Sequence, residues 1–337
     1  MSIPAAHLNG GISIPSFLHS VEAELRRVEE VLHAELSSAV RTVVAVSSHI
    51  LEAGGKRLRP SLVALSAQAC GSSFDTDRLV NVAASAELIH MATLMHDDVI
   101  DGAEFRRGRV TANSLWGSQV SVLAGDYMLA KAFSLLARDG DGGIMQALSR
   151  ATIAMTEGEI AQIESRGDTR TSAARYLSII HDKTAAFMSA CCRIGAILAD
   201  GSASTQEALA RYALDLGLAF QITDDLLDLI GDPARTGKPV GGDIREGKVT
   251  LPLILLLEKA DPTDRTTVER IVQSDSVTSE DVELVRQLAE TSGAVESTRD
   301  VAAQYVSRAV ESLCALAASD AQDSLRGLAE YVVLRES

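Results

Sequence analysis

Apolar residues return every three or four positions along most of this chain, and nowhere is the period-2 alternation of a half-buried strand sustained. Val21, Leu25, Val28 and Leu32, with charges between them, set the pattern near the start. The same spacing predicts helices over 78–101, 119–138, 144–165, 173–199, 205–230, 249–259 and 297–318. Composition agrees, with 46% hydrophobic but only 4% aromatic residues, a mixture that suits packed helices better than a β-sandwich. Glycines punctuate the helices at Gly54-Gly55, Gly102, Gly108, Gly140–Gly143 and Gly167, and through the long segment from Gly231 to Gly247. No composition shift, Pro/Ser-rich linker or constant-period repeat divides the chain. The expectation is therefore a single all-α domain over 1–337, with residues 1–15 as a loosely packed N-terminus.

No basic stretch followed by an apolar core and a small-residue cleavage site opens the sequence. The apolar run from Leu251 to Leu257 contains Pro252 and falls far short of the ~20 residues that a membrane helix needs. Cys70, Cys191, Cys192 and Cys314 fit no zinc spacing and suit buried free thiols in a reducing compartment, so a soluble cytoplasmic protein is expected. A formal net charge of −15 excludes nucleic acid as a partner. The cations are nonetheless concentrated: Lys56, Arg57 and Arg59; Arg106, Arg107 and Arg109; Lys238, Arg245 and Lys248.

They flank two copies of one pattern. Asp97-Asp98-Val99-Ile100-Asp101 and Asp224-Asp225-Leu226-Leu227-Asp228 both read D-D-x-x-D within apolar sequence. Residues four apart share a helix face, so Asp97 projects with Asp101 and Asp224 with Asp228. Carboxylates crowded against an apolar wall repel one another unless a cation joins them. Oxygen-only donors select a hard ion, and magnesium takes one or two carboxylates together with substrate phosphate oxygens. A single acidic cluster would more simply be a solvated helix end; two of identical pattern, one preceded by His90 and the other by Gln221 on the same face, point to metal-assisted chemistry on a phosphate ester.

Gly54-Gly55-Lys56-Arg57-Leu58-Arg59-Pro60 reads as one helix stop and one helix start, which explains the glycines and the proline but not three cations in four residues. Arg106 and Arg107 follow the first aspartate cluster directly and suit bidentate phosphate binding. Lys183 and Thr184 sit in otherwise apolar helical sequence, where a lysine needs a partner. The segment from Gly231 to Lys248 has the length and composition of a lid.

Together these residues resemble the trans-isoprenyl diphosphate synthase family, also called polyprenyl synthetases. The resemblance runs from GGKRLRP at 54–60, through LMHDDVIDGAEFRRG and QITDDLLD, to LPLI at 251–254. Gly102 departs from the pattern, standing where many members carry an acidic residue. The resemblance implies a helical bundle of the isoprenoid synthase type around a deep apolar cavity, usually a homodimer, with three magnesium ions when substrate is bound. It assigns Lys56, Arg59, His90 and Arg107 to the diphosphate of isopentenyl diphosphate. Asp97, Asp101 and Asp224 become the main metal ligands, with Asp98, Asp225 and Asp228 supporting. Arg106, Lys183 and Lys238 meet the allylic diphosphate, and Thr184 and Gln221 lie where a developing cation is stabilised.

Product length is read by the same analogy. Ala92 and Thr93, one turn before Asp97, are small where bulky aromatics stop growth early, so a long chain of about six to ten isoprene units for a quinone tail is expected. Such a product would pass to a membrane enzyme. Met128, Leu129 or Phe133 could instead supply the floor of the tube. A geranylgeranyl or farnesyl diphosphate synthase is the short-chain alternative, and a non-catalytic subunit of a hetero-oligomeric synthase is another. A terpene cyclase would not need the second aspartate cluster or the isopentenyl set. A di-metal carboxylate bundle would use Glu30–His33 and Glu87–His90, but Glu30 falls on the solvent side of its helix.

Overall fold

The computed structural model describes residues 16–71, 73–106, 108–231, 240–274 and 276–334. Among them the all-helical expectation holds, and β-strand is confined to a hairpin of two-residue strands, Phe105–Arg106 against Arg109–Val110. The predicted stretches become Thr76–Ile100, Ser118–Asp139, Gly142–Glu164, Ala203–Ile230, Leu251–Lys259 and Ala294–Ser312. The stretch 173–199 is not one continuous α-helix: Ala173–Ile180 and Ala186–Leu198 flank a π-turn at His181–Ala185. The chain forms two compact units. One gathers the described residues up to Arg150 with Ala190–Ala210 and Leu313–Leu328. The other gathers Ala151–Ser189, the described residues of Arg211–Ser312, and those from Ala329 onward.

In the first unit, Thr76–Ile100 is buried nearly all round, with Leu79, Val80, Ala83, Ala84, Leu88, Met91, Ala92 and Met95 on successive faces. Such a helix must be enclosed by others. It packs against Glu22–Glu35, Leu58–Cys70 and, most extensively, Ser118–Asp139. Its start is fixed by Asp75, whose carboxylate accepts from the Asp77 and Arg78 amides at 2.9 and 3.1 Å. Gly125 permits the closest approach of Ser118–Asp139, since a Cβ there would lie 2.3 Å from the His96 ring. By length and apolar composition Ser118–Asp139 could also pass for a membrane span, the one such helix among the described residues. Part of that apolar surface packs against Thr76–Ile100, while Val122, Leu123 and Phe133 stay exposed.

The second unit's core joins Tyr176, Ile180, Leu226, Leu229, Ile254, Val268, Val285 and Val295. The apolar run at 251–257 is its centre: Leu251, Leu253, Ile254, Leu256 and Leu257 are all buried, each contributing about 1.5–3 kcal/mol relative to exposure. Pro252 sits in the first turn, where its missing N–H costs nothing. Asp261 and Thr278 cap the helices Pro262–Val272 and Ser279–Thr291, the latter through a capping box with Asp281.

The thiol expectation needs correcting in part. Cys191 and Cys192 are buried and burial pushes Cys192 up to about 12, but Cys70 is half-buried and Cys314 exposed.

Candidate active site

Within the first unit, the segment between Arg41–Glu52 and Leu58–Cys70 presents its cations unequally. Lys56 is exposed and Arg59 half-buried, whereas Arg57 is 4% exposed and faces the interior. Arg57 Nη1 donates to Glu87 Oε1 at 2.9 Å, Nη2 to Glu29 Oε2 and to the Leu51 carbonyl at 3.3 Å each, and Nε pairs with Glu29. Burial disfavours its charge, but Glu87 and Glu29 outweigh that and raise its pKa. Glu87 is thereby committed one helical turn from His90, and Glu30 is exposed, so neither half of the di-metal alternative is assembled.

His90, Asp97 and Asp101 are half-buried on or at the end of Thr76–Ile100, while Asp98 is 5% exposed. Periodicity explains the split, because Asp97 and Asp101 share one face and Asp98 turns 100° away. Arg106, expected at the allylic diphosphate, donates its Nε to Asp98 Oδ1 at 2.6 Å. Arg107 lies outside the described residues. Ala92 is buried, and Thr93 donates its hydroxyl to the His90 carbonyl at 2.8 Å. On Ser118–Asp139, Phe133 is exposed and Met128 fully buried.

The second unit holds the other half of the expected set. Lys183 and Thr184 lie on the π-turn, a widened turn that recurs at functional sites. Two glycines make room for it: a Cβ at Gly158 would stand 2.6 Å from the Lys183 amide nitrogen, and one at Gly217 2.6 Å from the Ala185 Cα. Lys183 Nζ pairs with Glu159 and donates to Gln162 Oε1 at 2.6 Å. Thr184 Oγ1 donates to Gln221 Oε1 at 2.9 Å, Gln221 Nε2 to Asp225 Oδ1 at 2.7 Å, and Tyr176 Oη to Asp225 Oδ2 at 2.6 Å.

The three acids of the second D-D-x-x-D therefore differ. Asp224 is exposed, Asp225 is buried in that network, and Asp228 accepts from the Gly242 and Asp243 amides at 3.2 and 2.9 Å. The carbonyl of Asp228 also accepts from the Gly241 amide at 2.7 Å. Burial chiefly pushes Asp225 up to about 6, against the hydrogen bonds from Tyr176 and Gln221. Asp228 is raised by burial too, and Asp243 is held well up by burial and by the Asp225 and Asp228 charges. Lys248 answers this acidity, pairing with Glu246 and lying 4.0 Å from Asp243. Lys238 lies outside the described residues.

Asp243, Glu159 and Tyr176 belong to this region and sequence reasoning did not assign them, and Lys248 it named only among the clustered cations. The Gly-Gly-Asp run within the lid segment was the available signal for Asp243; Tyr176 offered none, because a lone aromatic in a helix reads as core. Among the described residues no three His, Cys, Asp or Glu side chains converge into a closed metal cage. In the first unit Asp97 and Asp101 are half-buried, and in the second Asp224 is exposed; each unit thus offers one or two carboxylate oxygens, the donor type that suits magnesium completed by phosphate oxygens.

The sequence profile of the polyprenyl synthetase family matches residues 40–289. The chain is 36% identical over 318 residues to the all-trans-nonaprenyl-diphosphate synthase (geranyl-diphosphate specific) of Rhodobacter capsulatus, covering 94% of this chain and 97% of that one. It is likewise 36% identical over 323 residues to the short chain isoprenyl diphosphate synthase of Methanothermobacter thermautotrophicus, covering 93% and 98%. Its backbone matches the crystal structure of a polyprenyl synthase from Caulobacter crescentus complexed with calcium and isoprenyl diphosphate, with a TM-score of 0.91, 38% identity, and 95% and 97% of the two chains covered.

Proposed function

Because this chain belongs to the polyprenyl synthetase family, we propose that it is a magnesium-dependent trans-polyprenyl diphosphate synthase that condenses isopentenyl diphosphate with an allylic prenyl diphosphate. The observation that carries the mechanism is the setting of the second aspartate motif: Asp225 is buried and accepts from Tyr176 and Gln221, Asp228 accepts the amides of Gly242 and Asp243, and Asp224 is solvent-exposed on the helix that carries Gln221.

Asp97, Asp101 and Asp224 are the carboxylates that would hold magnesium, three ions with substrate bound. Magnesium bound there supplies positive charge to the departing diphosphate. Lys183, Arg106 and Lys238 bind the allylic diphosphate and favour its departure. In the present state Lys183 and Arg106 hold Glu159 and Asp98, so each exchanges one anion for another when substrate arrives. Lys56, Arg59, His90 and Arg107 bind and orient isopentenyl diphosphate, whose double bond attacks the allylic carbon as its C–O bond breaks. The oxygens of Thr184 and Gln221 face the positive charge that develops, and apolar walls exclude the water that would trap it. The proton lost from the new chain goes to the leaving diphosphate, so no protein nucleophile is needed.

Residues 1–337 act as one prenyltransferase domain in a cytoplasmic homodimer, and the product is long, about C30–C50, because buried Ala92 offers no bulk beneath the reacting carbon. Met128, buried where Phe133 is exposed, is the better candidate for a floor. Purified protein given magnesium, labelled isopentenyl diphosphate and C10, C15 or C20 primers should yield a ladder ending well beyond C20. Products stopping at C15 or C20 would leave the reaction standing and overturn the long-chain reading. Asp97→Ala and Asp224→Ala should each fold and lose at least about a hundredfold in kcat; near-normal turnover would remove that aspartate from the metal site.

A further inference from the structure

The chain Tyr176–Asp225–Gln221–Thr184 fixes which way an amide faces. Asp225 is 7% exposed, and an ionised carboxylate only accepts hydrogen bonds. Gln221 must therefore turn its NH2 group toward Asp225 Oδ1, at 2.7 Å, and its carbonyl oxygen away. That oxygen receives the Thr184 hydroxyl proton at 2.9 Å. Thr184 has one proton and spends it there, so its own oxygen has only lone pairs left to offer. Two partial negative ends are thus held on the π-turn side. The arrangement depends on Asp225 keeping its rotamer, and Tyr176 Oη, donating to Oδ2 at 2.6 Å, is the other group that holds it. Tyr176 itself is 4% exposed in the core, where a Phe would pack equally well. Its hydroxyl is the part that packing does not require.

We propose that Tyr176 is a positioning residue for allylic ionisation, holding Asp225 so that the Gln221 carbonyl and the Thr184 oxygen stay turned toward the forming cation. This rests on the reading that Gln221 and Thr184 flank that cation. Without the phenol hydroxyl, Asp225 has a buried oxygen lacking its donor and can rotate away from Gln221 Nε2. The amide then turns its NH2 group, a positive end, toward the site.

Steady-state kinetics of the full-length chain with magnesium, a C10 or C15 primer and isopentenyl diphosphate test this. Tyr176→Phe should lower kcat roughly tenfold while KM for isopentenyl diphosphate stays within about twofold and the Tm within a few degrees. In a Gln221→Leu background the same substitution should cost nothing further, because the amide it orients is gone. Asp225→Asn serves as the background if Gln221→Leu does not fold, since an asparagine no longer enforces one amide orientation. Unchanged kcat in Tyr176→Phe, a full additional loss in either background, or a loss shared equally by kcat, isopentenyl KM and Tm would each overturn the proposal. Full activity of Gln221→Leu alone would instead sink the underlying reading of Gln221.

Discussion

Of the three cations between Gly54 and Pro60, the middle one is spent on the fold. Arg57 adopts a left-handed backbone, with φ of 45°, and buries its guanidinium between Glu29 and Glu87. Removing one partner of a buried ion pair leaves the other charge uncompensated, at about 3–5 kcal/mol. Arg57→Met should therefore lower the unfolding free energy from urea titration sharply, whereas Lys56→Met, at an exposed position, should change it by no more than ~0.5 kcal/mol and raise KM for isopentenyl diphosphate instead. Ala92→Phe should shorten the product; it also crowds a buried position, at about 1–3 kcal/mol, so the length distribution must be read alongside the melting curve. An unchanged distribution in folded protein would move the stop elsewhere. The sequence displayed the three cations as a set, but which of them turns inward depends on Glu29 and Glu87, 28 and 30 residues away. The two D-D-x-x-D motifs pose the same difficulty. Their pattern identified the acids, while the partners that separate Asp98, Asp225 and Asp228 from the rest come from Arg106, Tyr176 and the amides at 242–243.

Helical periodicity made most long elements legible because most bury one face and wet the other; Thr76–Ile100, buried nearly all round, is the exception. It did not reveal the π-turn, since His181–Ala185 keeps the same polar and apolar spacing as an ordinary turn. A signal did exist in its neighbours. Gly158 and Gly217 are isolated glycines inside helices, which usually mark a close backbone approach. Gly158→Ala and Gly217→Ala each force a methyl to within 2.6 Å of the π-turn backbone. Both should lower kcat about tenfold or more and reduce the Tm, with a smaller effect on KM for isopentenyl diphosphate. Wild-type kinetics in either variant would mean that the turn yields without disturbing Lys183 and Thr184. The helices after residue 261 were also readable in principle, through Asp261-Pro262 and the Thr278–Asp281 capping pair.

At the scale of the chain, the two units left no boundary in composition because each is assembled from three separated segments. What composition did expose was the contrast between a net charge of −15 and cations gathered beside the acidic motifs. Such a molecule should bind metal and anion together better than either alone. Magnesium and inorganic diphosphate together, at a hundredfold excess over the dissociation constant of their joint complex, should raise the Tm by about 4 °C, and each alone at the same concentration by less than half of that. The whole shift with magnesium alone would point to a metal site complete without substrate. Asp228 has a consequence of another kind. Its carbonyl and carboxylate receive the amides of Gly241, Gly242 and Asp243, so the backbone re-enters the fold at the residue beside which it left. For protein engineering this makes Asp228 a clasp between the helix Ala203–Ile230 and the described backbone from Gly241, a junction to be left intact when the register of that helix is to be kept.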